Sequence, residues 1–344
     1  MPQERIPTPD SLRGLAAAAV AWFHFTNGNP ALLPDDSLLR LSGRYGWLGV
    51  EVFFVISGFV VPFALARAGY AVPGFGRFLL KRFARLDPPY LASIAFVLLA
   101  IYITALFPDF QGQRFEFSWA TLLPHLGYAN AYFGRPWLNP VYWTLAVESQ
   151  YYLIIGLVFP LVSGGRRAFY AVLAAGGLAA FLVRNPAFVF EYLPLFALGA
   201  LTFRLRVCGE SPRVFLCTAA ALAVATSLSL GWPEAAAGLG AALAIAFVRL
   251  DSRPARFFGA ISYSLYLLHV PVGSRVVNLF ATFAPGLPLR CAAPFAALAA
   301  SVCAAYVFNR LVERPAQRWS SSMKYPGPAR AQQPPPAFVE TRRA

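Results

Sequence analysis

Arg13 and His24 stand eleven residues apart in one apolar stretch, and Glu148 and His269 lie inside two others. A charge held in hydrocarbon costs roughly 2.5 to 3.5 kcal/mol even on lenient insertion scales, so such residues persist mainly where they pair or do chemistry. In an α-helix eleven steps bring a side chain back to within about 20° of the same face and roughly 16 Å further along. One face therefore carries a guanidinium at the inner edge of the bilayer and an imidazole about 18 Å into a core about 30 Å thick. Glu148 falls about eight residues into a segment opened by Asn139-Pro140, a cap followed by proline in the first turn. That puts it about 12 Å below the outer end, nearly level with His24. A carboxylate and an imidazole at one depth could form a base and its orienter; a buried structural pair is the bland alternative. His269 falls near the same level, just before Pro271, where it either serves function or marks a break in the helix.

A second group suits anions. Arg82 and Arg85 share a helix face at i, i+3, and paired guanidinium groups bind phosphates in bidentate fashion; the alternative is that they simply fix topology as positive-inside residues. Glu51 and Ser57 lie in the run Gly49-Val50-Glu51-Val52-Phe53-Phe54-Val55-Ile56-Ser57-Gly58, with Glu51 near the outer surface and Ser57 deeper. Small residues there also let helices pack closely. Trp143 and Tyr263, in the runs that hold Glu148 and His269, complete the candidates.

These residues need helices to carry them. With 58% hydrophobic residues, only 13% charged ones and a mean hydropathy of +0.55, the chain of 344 residues is expected to be an all-α polytopic membrane protein. Ten segments are long and apolar enough to be candidate spans: about 11–28, 47–66, 89–107, 140–162, 168–183, 188–205, 214–231, 235–250, 257–279 and 291–311. With both termini cytoplasmic, the outer loops keep only Arg40, Arg44, Arg114, Arg135, Arg184, Arg275 and Arg290 of the 29 Lys and Arg residues. That asymmetry is the positive-inside pattern, and it explains the net charge of +14 without nucleic acid. The four cysteines, without a CxxC spacing, suggest neither a disulfide framework nor a metal site. Leu15 to Phe25 contains His24 and precedes no small-residue cleavage site, so it reads as a retained helix and not a signal peptide. The longest connections, about 29–46 and 108–139, both fall outside. The second carries Phe110, Phe115, Trp119, Tyr128, Tyr132, Phe133 and Trp137, which read as membrane-rim anchors or as a platform for a flat acceptor. A transmembrane domain over 1–319 and a disordered cytoplasmic tail over 320–344 are expected.

Taken together, Arg13-x10-His24, the GVEVFFVISGF run, Arg82-x-x-Arg85, WTLAVESQYY around Glu148, SYSLYLLH ending at His269 and Val312-Glu313-Arg314-Pro315 resemble the acyltransferase 3 family. These are integral membrane enzymes that O-acylate cell-surface glycans and some small molecules. The six signatures come in family order over roughly residues 8 to 316, with Glu51 where the family more often shows aspartate. The resemblance implies a stand-alone form without a fused hydrolase-like domain, in the bacterial inner membrane. It further implies cytoplasmic acyl-CoA, most simply acetyl-CoA, as donor substrate, no permanently bound cofactor, and a glycan, glycolipid or small-molecule hydroxyl as acceptor on the outer side. On this reading Arg13, Arg82 and Arg85 hold the CoA phosphates. His24 is base or transient acyl carrier, and Glu148 orients it. A secondary transporter for a lipid-linked sugar or small solute is the alternative, since such proteins also bury Glu and His; missing repeats and few broken helices speak against it.

Overall fold

The computed structural model describes residues 6–106 and 118–323. Fourteen helices follow in chain order: α1 Thr8–Asn27, α2 Leu38–Gly43, α3 Gly49–Arg67, α4 Phe75–Ala105, α5 Trp119–His125, α6 Tyr142–Ser163, α7 Arg166–Leu182, α8 Leu193–Val207, α9 Pro212–Ser229, α10 Trp232–Phe247, α11 Arg253–Leu268, α12 Ser274–Phe283, α13 Leu287–Phe308 and α14 Arg314–Ser322. No strand occurs among the described residues. Each of the ten predicted spans coincides with helix, and the protein is an all-α membrane protein. Five helical runs are by themselves long and apolar enough to cross a bilayer: Leu38–Arg67, Val72–Ala105, Tyr142–Ser163, Pro212–Ser229 and Leu287–Ser322. Leu99, Tyr102, Phe181, Leu228 and Phe295 project outward from these helices and their neighbours, which suits a hydrocarbon solvent.

Backbone contact through glycine sets the interior. α1 packs between α3 and α11, and a Cβ on Gly14 would lie 2.5 Å from Gly259 N. Gly58 and Gly199 bring α3 and α8 together in the same way, with a Cβ on either meeting the other helix's backbone. Without a hydrophobic drive between helices in lipid, such close approach is what holds them. A core of Phe54, Ile56, Phe59, Phe159, Phe196, Phe203 and Phe215 fills the space among α3, α6, α8 and α9. On the loop side of α6, α7 and α8, buried Arg204 pairs with Glu210 at 3.3 Å, donates to Val162 O and Gly164 O, and lies over the Phe169 ring.

Four departures from the sequence reading matter. α4 begins at Phe75 and runs unbroken through Pro88 and Pro89, so Arg82 and Arg85 sit within the helix that was expected to start near residue 89. Pro88 and Pro89 leave Ala84 O and Arg85 O without their ladder donors, and beside them Tyr263 Oη donates to Leu86 O. The ninth span is broken: a π turn, His269–Gly273, separates α11 from α12, and Pro271 inside it has no N–H to continue the ladder. The segment after Trp119 dips among the helices instead of staying at the rim. Tyr128, with φ of 57°, donates to Asp87 at 2.6 Å and stacks on Tyr90, whose hydroxyl donates to His125 O. Trp119, Tyr132 and Phe133 stay exposed, while Phe110 and Phe115 lie outside the described residues. Finally, α14 is helical through Ser322 and pins to α4, with Ser320 donating to Lys81 O and Lys81 donating to Met323 O. Residues 324–344 of the expected tail lie outside the described ones.

Candidate active site

A cavity of about 380 Å³ lies among α1, α3, α4, α6, α11 and α14. Arg13, Arg82, Arg85, Arg256 and Arg314 line it, five guanidinium groups converging from four different helices. Arg13 faces Asp10 at 3.9 Å and Arg256 pairs with Asp251 at 2.7 Å. Neither Arg82 nor Arg85 forms an ion pair among the described residues, although Arg82 lies over the rings of Phe78 and Tyr152. Two cations without a carboxylate partner in a concave site make an anion receptor, and guanidinium is the group suited to phosphate.

Glu148 and Ser57 stand in the wall of the same cavity. Ser57 Oγ donates to Glu148 Oε1 at 2.5 Å, and Tyr152, one turn along α6, lines the same wall. Tyr263 lines the cavity as well. Glu313, in the π turn Asn309–Glu313, accepts from Ser264 Oγ at 2.5 Å and from Asn309 Nδ2 at 2.8 Å, which anchors the turn that presents Arg314.

His24 lies elsewhere. Its ring sits 5.1 Å from the His269 ring, centroid to centroid, and neither histidine lines the cavity. The expected meeting of His24 and Glu148 is not made. Thr144 of α6 is hydrogen-bonded to Tyr266 of α11 at 2.8 Å, which sets a common level for these antiparallel helices. From there Glu148 lies four residues along α6 and His269 three residues along α11 in the opposite direction, so the carboxylate and the histidine pair are about 10 Å apart along the helix axes. Val50, Phe53 and Tyr266 line the cavity too, Tyr266 one turn short of His269. The Phe53 and Tyr266 rings meet edge to face at 5.3 Å.

The remaining candidates stand apart from both groups. Glu51 is buried near the start of α3 with one carboxylate oxygen unpartnered among the described residues, and it does not line the cavity. Trp143 packs on Phe54 and Tyr192. His125, which the sequence reading passed over, is a structural residue outside the spans. Its Nδ1–H donates to Thr121 O at 2.7 Å and its Nε2 accepts from Leu138 N at 3.1 Å, and burial pushes its pKa below the ordinary histidine range. Sequence reasoning also missed Tyr152, Arg256, Arg314 and Gln317 in the cavity. Tyr152 was recoverable from its i+4 spacing to Glu148, and Arg314 from its place in the Val312–Pro315 run. Arg256 and Gln317 carried no such signal.

The sequence matches the family described as an acyltransferase domain (Acyl_transf_3) over residues 6–310. The chain belongs to this family. It is 30% identical over 323 residues to a protein of Komagataeibacter xylinus named as a membrane-bound transacylase, BcsY, the match covering 82% of this chain and 76% of that one. It is 28% identical over 161 residues to the peptidoglycan O-acetyltransferase OatA of Listeria monocytogenes, covering 43% of this chain and 23% of the relative. With the O-acetyltransferase OatA of Staphylococcus aureus the identity is 26% over 222 residues, 62% of this chain and 32% of the relative. The chain therefore spans only a third or less of the OatA proteins it matches. No solved structure matches it. The protein is a membrane acyltransferase that transfers groups other than aminoacyl groups.

Proposed function

We propose that this acyltransferase moves an acyl group, most simply acetyl, from cytoplasmic acyl-CoA to a hydroxyl of an extracytoplasmic glycan or glycolipid, across ten spans of the bacterial inner membrane with both termini in the cytoplasm. The observation that carries the reading is the pair Arg82 and Arg85, cationic and without ion-pair partners among the described residues, in a cavity whose lining comes within one helical turn of His269, which faces His24. Arg82, Arg85 and Arg13 hold the phosphates of the donor, and Arg256 and Arg314 extend the same cationic wall. The thin pantetheine arm passes Phe53 and Tyr266, so the thioester reaches His24 while the nucleotide stays among the arginines.

His24 then takes the proton of the acceptor hydroxyl as its oxygen attacks the thioester carbon. The new C–O bond forms, the C–S bond breaks, and the proton passes from the imidazolium to the departing CoA thiolate. The ester and CoA thiol are the only products, so the step needs no metal or redox partner. The relatives named as O-acetyltransferases support an ester product, and the one named for peptidoglycan supports a glycan acceptor.

The test is the O-acyl content of envelope and secreted glycans in a deletion strain carrying wild-type protein, His24→Ala at matched abundance, or neither. Loss of a general base costs on the order of 10² to 10⁴ in rate, so only the wild type should restore an ester. Acetyl-CoA-dependent release of CoA from membrane vesicles separates transfer from transport. Wild-type vesicles that release none would overturn the reading.

A further inference from the structure

His269 is fully buried, and its Nδ1 lies 2.8 Å from Tyr266 O and 3.1 Å from Leu265 O. Carbonyl oxygens only accept, so Nδ1 carries the ring proton and Nε2 is a lone-pair acceptor. The backbone of α11 thus sets the tautomer of this ring, at the point where the helix widens into its π turn. Single π turns inside helices are frequent at functional sites.

The acceptor nitrogen faces away from its own helix and has no hydrogen-bond partner among the described residues, although it is buried. A buried lone pair left unmatched costs about 1 to 3 kcal/mol, so its neighbours bear inspection. Phe25 offers no donor, and the Tyr266 hydroxyl is committed to Thr144 and Val141 O. Ser301 Oγ, also buried in this region, lies against Gly273 and makes no bond to Nε2. His24 remains, with its ring centroid 5.1 Å away, its plane tilted by 45°, and no side-chain hydrogen bond of its own among the described residues. No bond joins the two rings as they stand, but at that spacing a turn of the His24 ring that points one nitrogen at Nε2 brings the two nitrogens to ordinary hydrogen-bond distance.

We propose that His269 is the positioning residue of His24: its Nε2 receives the N–H of the His24 ring and leaves the other His24 nitrogen as the base. This deepens, and rests on, the transfer through His24 proposed above. It gives His269 the role that the sequence reading assigned to Glu148, and it gives the base an orienter that is neutral. The orienter in turn is held by two main-chain carbonyls, so no second side chain is needed to fix it.

The experiment labels the full-length detergent-solubilised protein with diethyl pyrocarbonate, which acylates an unprotonated imidazole nitrogen, and follows His24 alone by peptide mass spectrometry. His269→Phe keeps an aromatic ring but removes the acceptor, and His269→Gln returns an acceptor oxygen near the position of Nε2. Labelling of His24 should slow severalfold in His269→Phe and recover in His269→Gln. In the same variants kcat for CoA release from acetyl-CoA should fall about 10²-fold and recover, with KM for acetyl-CoA unchanged. Melting temperature checks the fold, and His269→Leu replaces the Phe variant should that not fold. His24 labelled at the wild-type rate in a folded His269→Phe or His269→Leu protein would overturn the assignment, and so would failure of Gln to restore it. Should wild-type vesicles release no CoA, the transfer reading falls by that result alone, while the labelling still decides whether the two rings are paired.

Discussion

Arg82 and Arg85 sit among five guanidinium groups in the cavity and make no ion pair with its carboxylates among the described residues, which is a costly arrangement unless an anion completes it. A hydrogen bond to a charged group contributes about 1.5 to 3 kcal/mol, so Arg82→Ala should raise KM for acyl-CoA roughly 10- to 100-fold with kcat less affected. Steady-state kinetics with acetyl-CoA checks it, and unchanged KM would leave the pair as topology residues. Glu148 belongs to this end of the molecule. Its carboxylate is held by Ser57 beside the arginines, so Glu148→Gln should act chiefly on KM, whereas an orienter of His24 would act on kcat. Arg13, Arg82, Arg85, Glu148 and Ser57, which line this cavity, were all legible in the sequence as candidates. The partnership of His24 was not. Counting 1.5 Å per residue from an assumed membrane surface put Glu148 level with His24, but Tyr142, where α6 begins, meets Ser93 and Tyr90 twelve or more residues short of the C-terminal end of α4. The count was sound and its origin was wrong.

Among the elements, the crossings are where substitution should be most damaging. Gly14→Leu would drive a side chain into the backbone at Gly259, and the resulting overpacking costs typically 1 to 3 kcal/mol or more. A lower melting temperature in detergent, with loss of transfer, is the expected result. Glu210→Gln should destabilise the protein by about 3 to 5 kcal/mol, because it leaves Arg204 buried without its carboxylate. The segment Trp119–Asn139 carries its own pH dependence. His125 must stay neutral for Nε2 to accept from Leu138 N–H, and its pKa in the folded protein lies below that in the unfolded chain. Its stabilising contribution is therefore complete above the ordinary histidine range and is lost as pH falls through it towards the folded value. Limited proteolysis within this segment should accelerate below about pH 6, and His125→Phe should remove that step. Helix positions were readable from apolar length, yet the continuity of α4 through Pro88 and Pro89 and the π turn after Leu268 were not, because proline alone predicts a break in both places and tertiary packing overrides it in one.

At the scale of the whole molecule, the class followed from composition, because a chain this apolar has no soluble fold open to it. What composition could not supply is the separation of the molecule into a cationic chamber and a histidine pair, with Phe53 and Tyr266 between them. That separation bears on a hazard specific to membranes. A polar path joining two compartments would let protons run down the membrane potential, which is worth about 2.3 kcal/mol per charge per 100 mV. If the donor reaches His24 as proposed, the Phe53 and Tyr266 rings packed edge to face across its route would supply an electrical seal, and a slender pantetheine arm needs far less room than a hydrated ion carrying its shell. Phe53→Ala should therefore expose itself first as conductance, read as dissipation of an imposed potential in proteoliposomes, before it shows as any change in chemistry. On the proposed reading, an enzyme that passes a group through a bilayer can in this way remain an insulator.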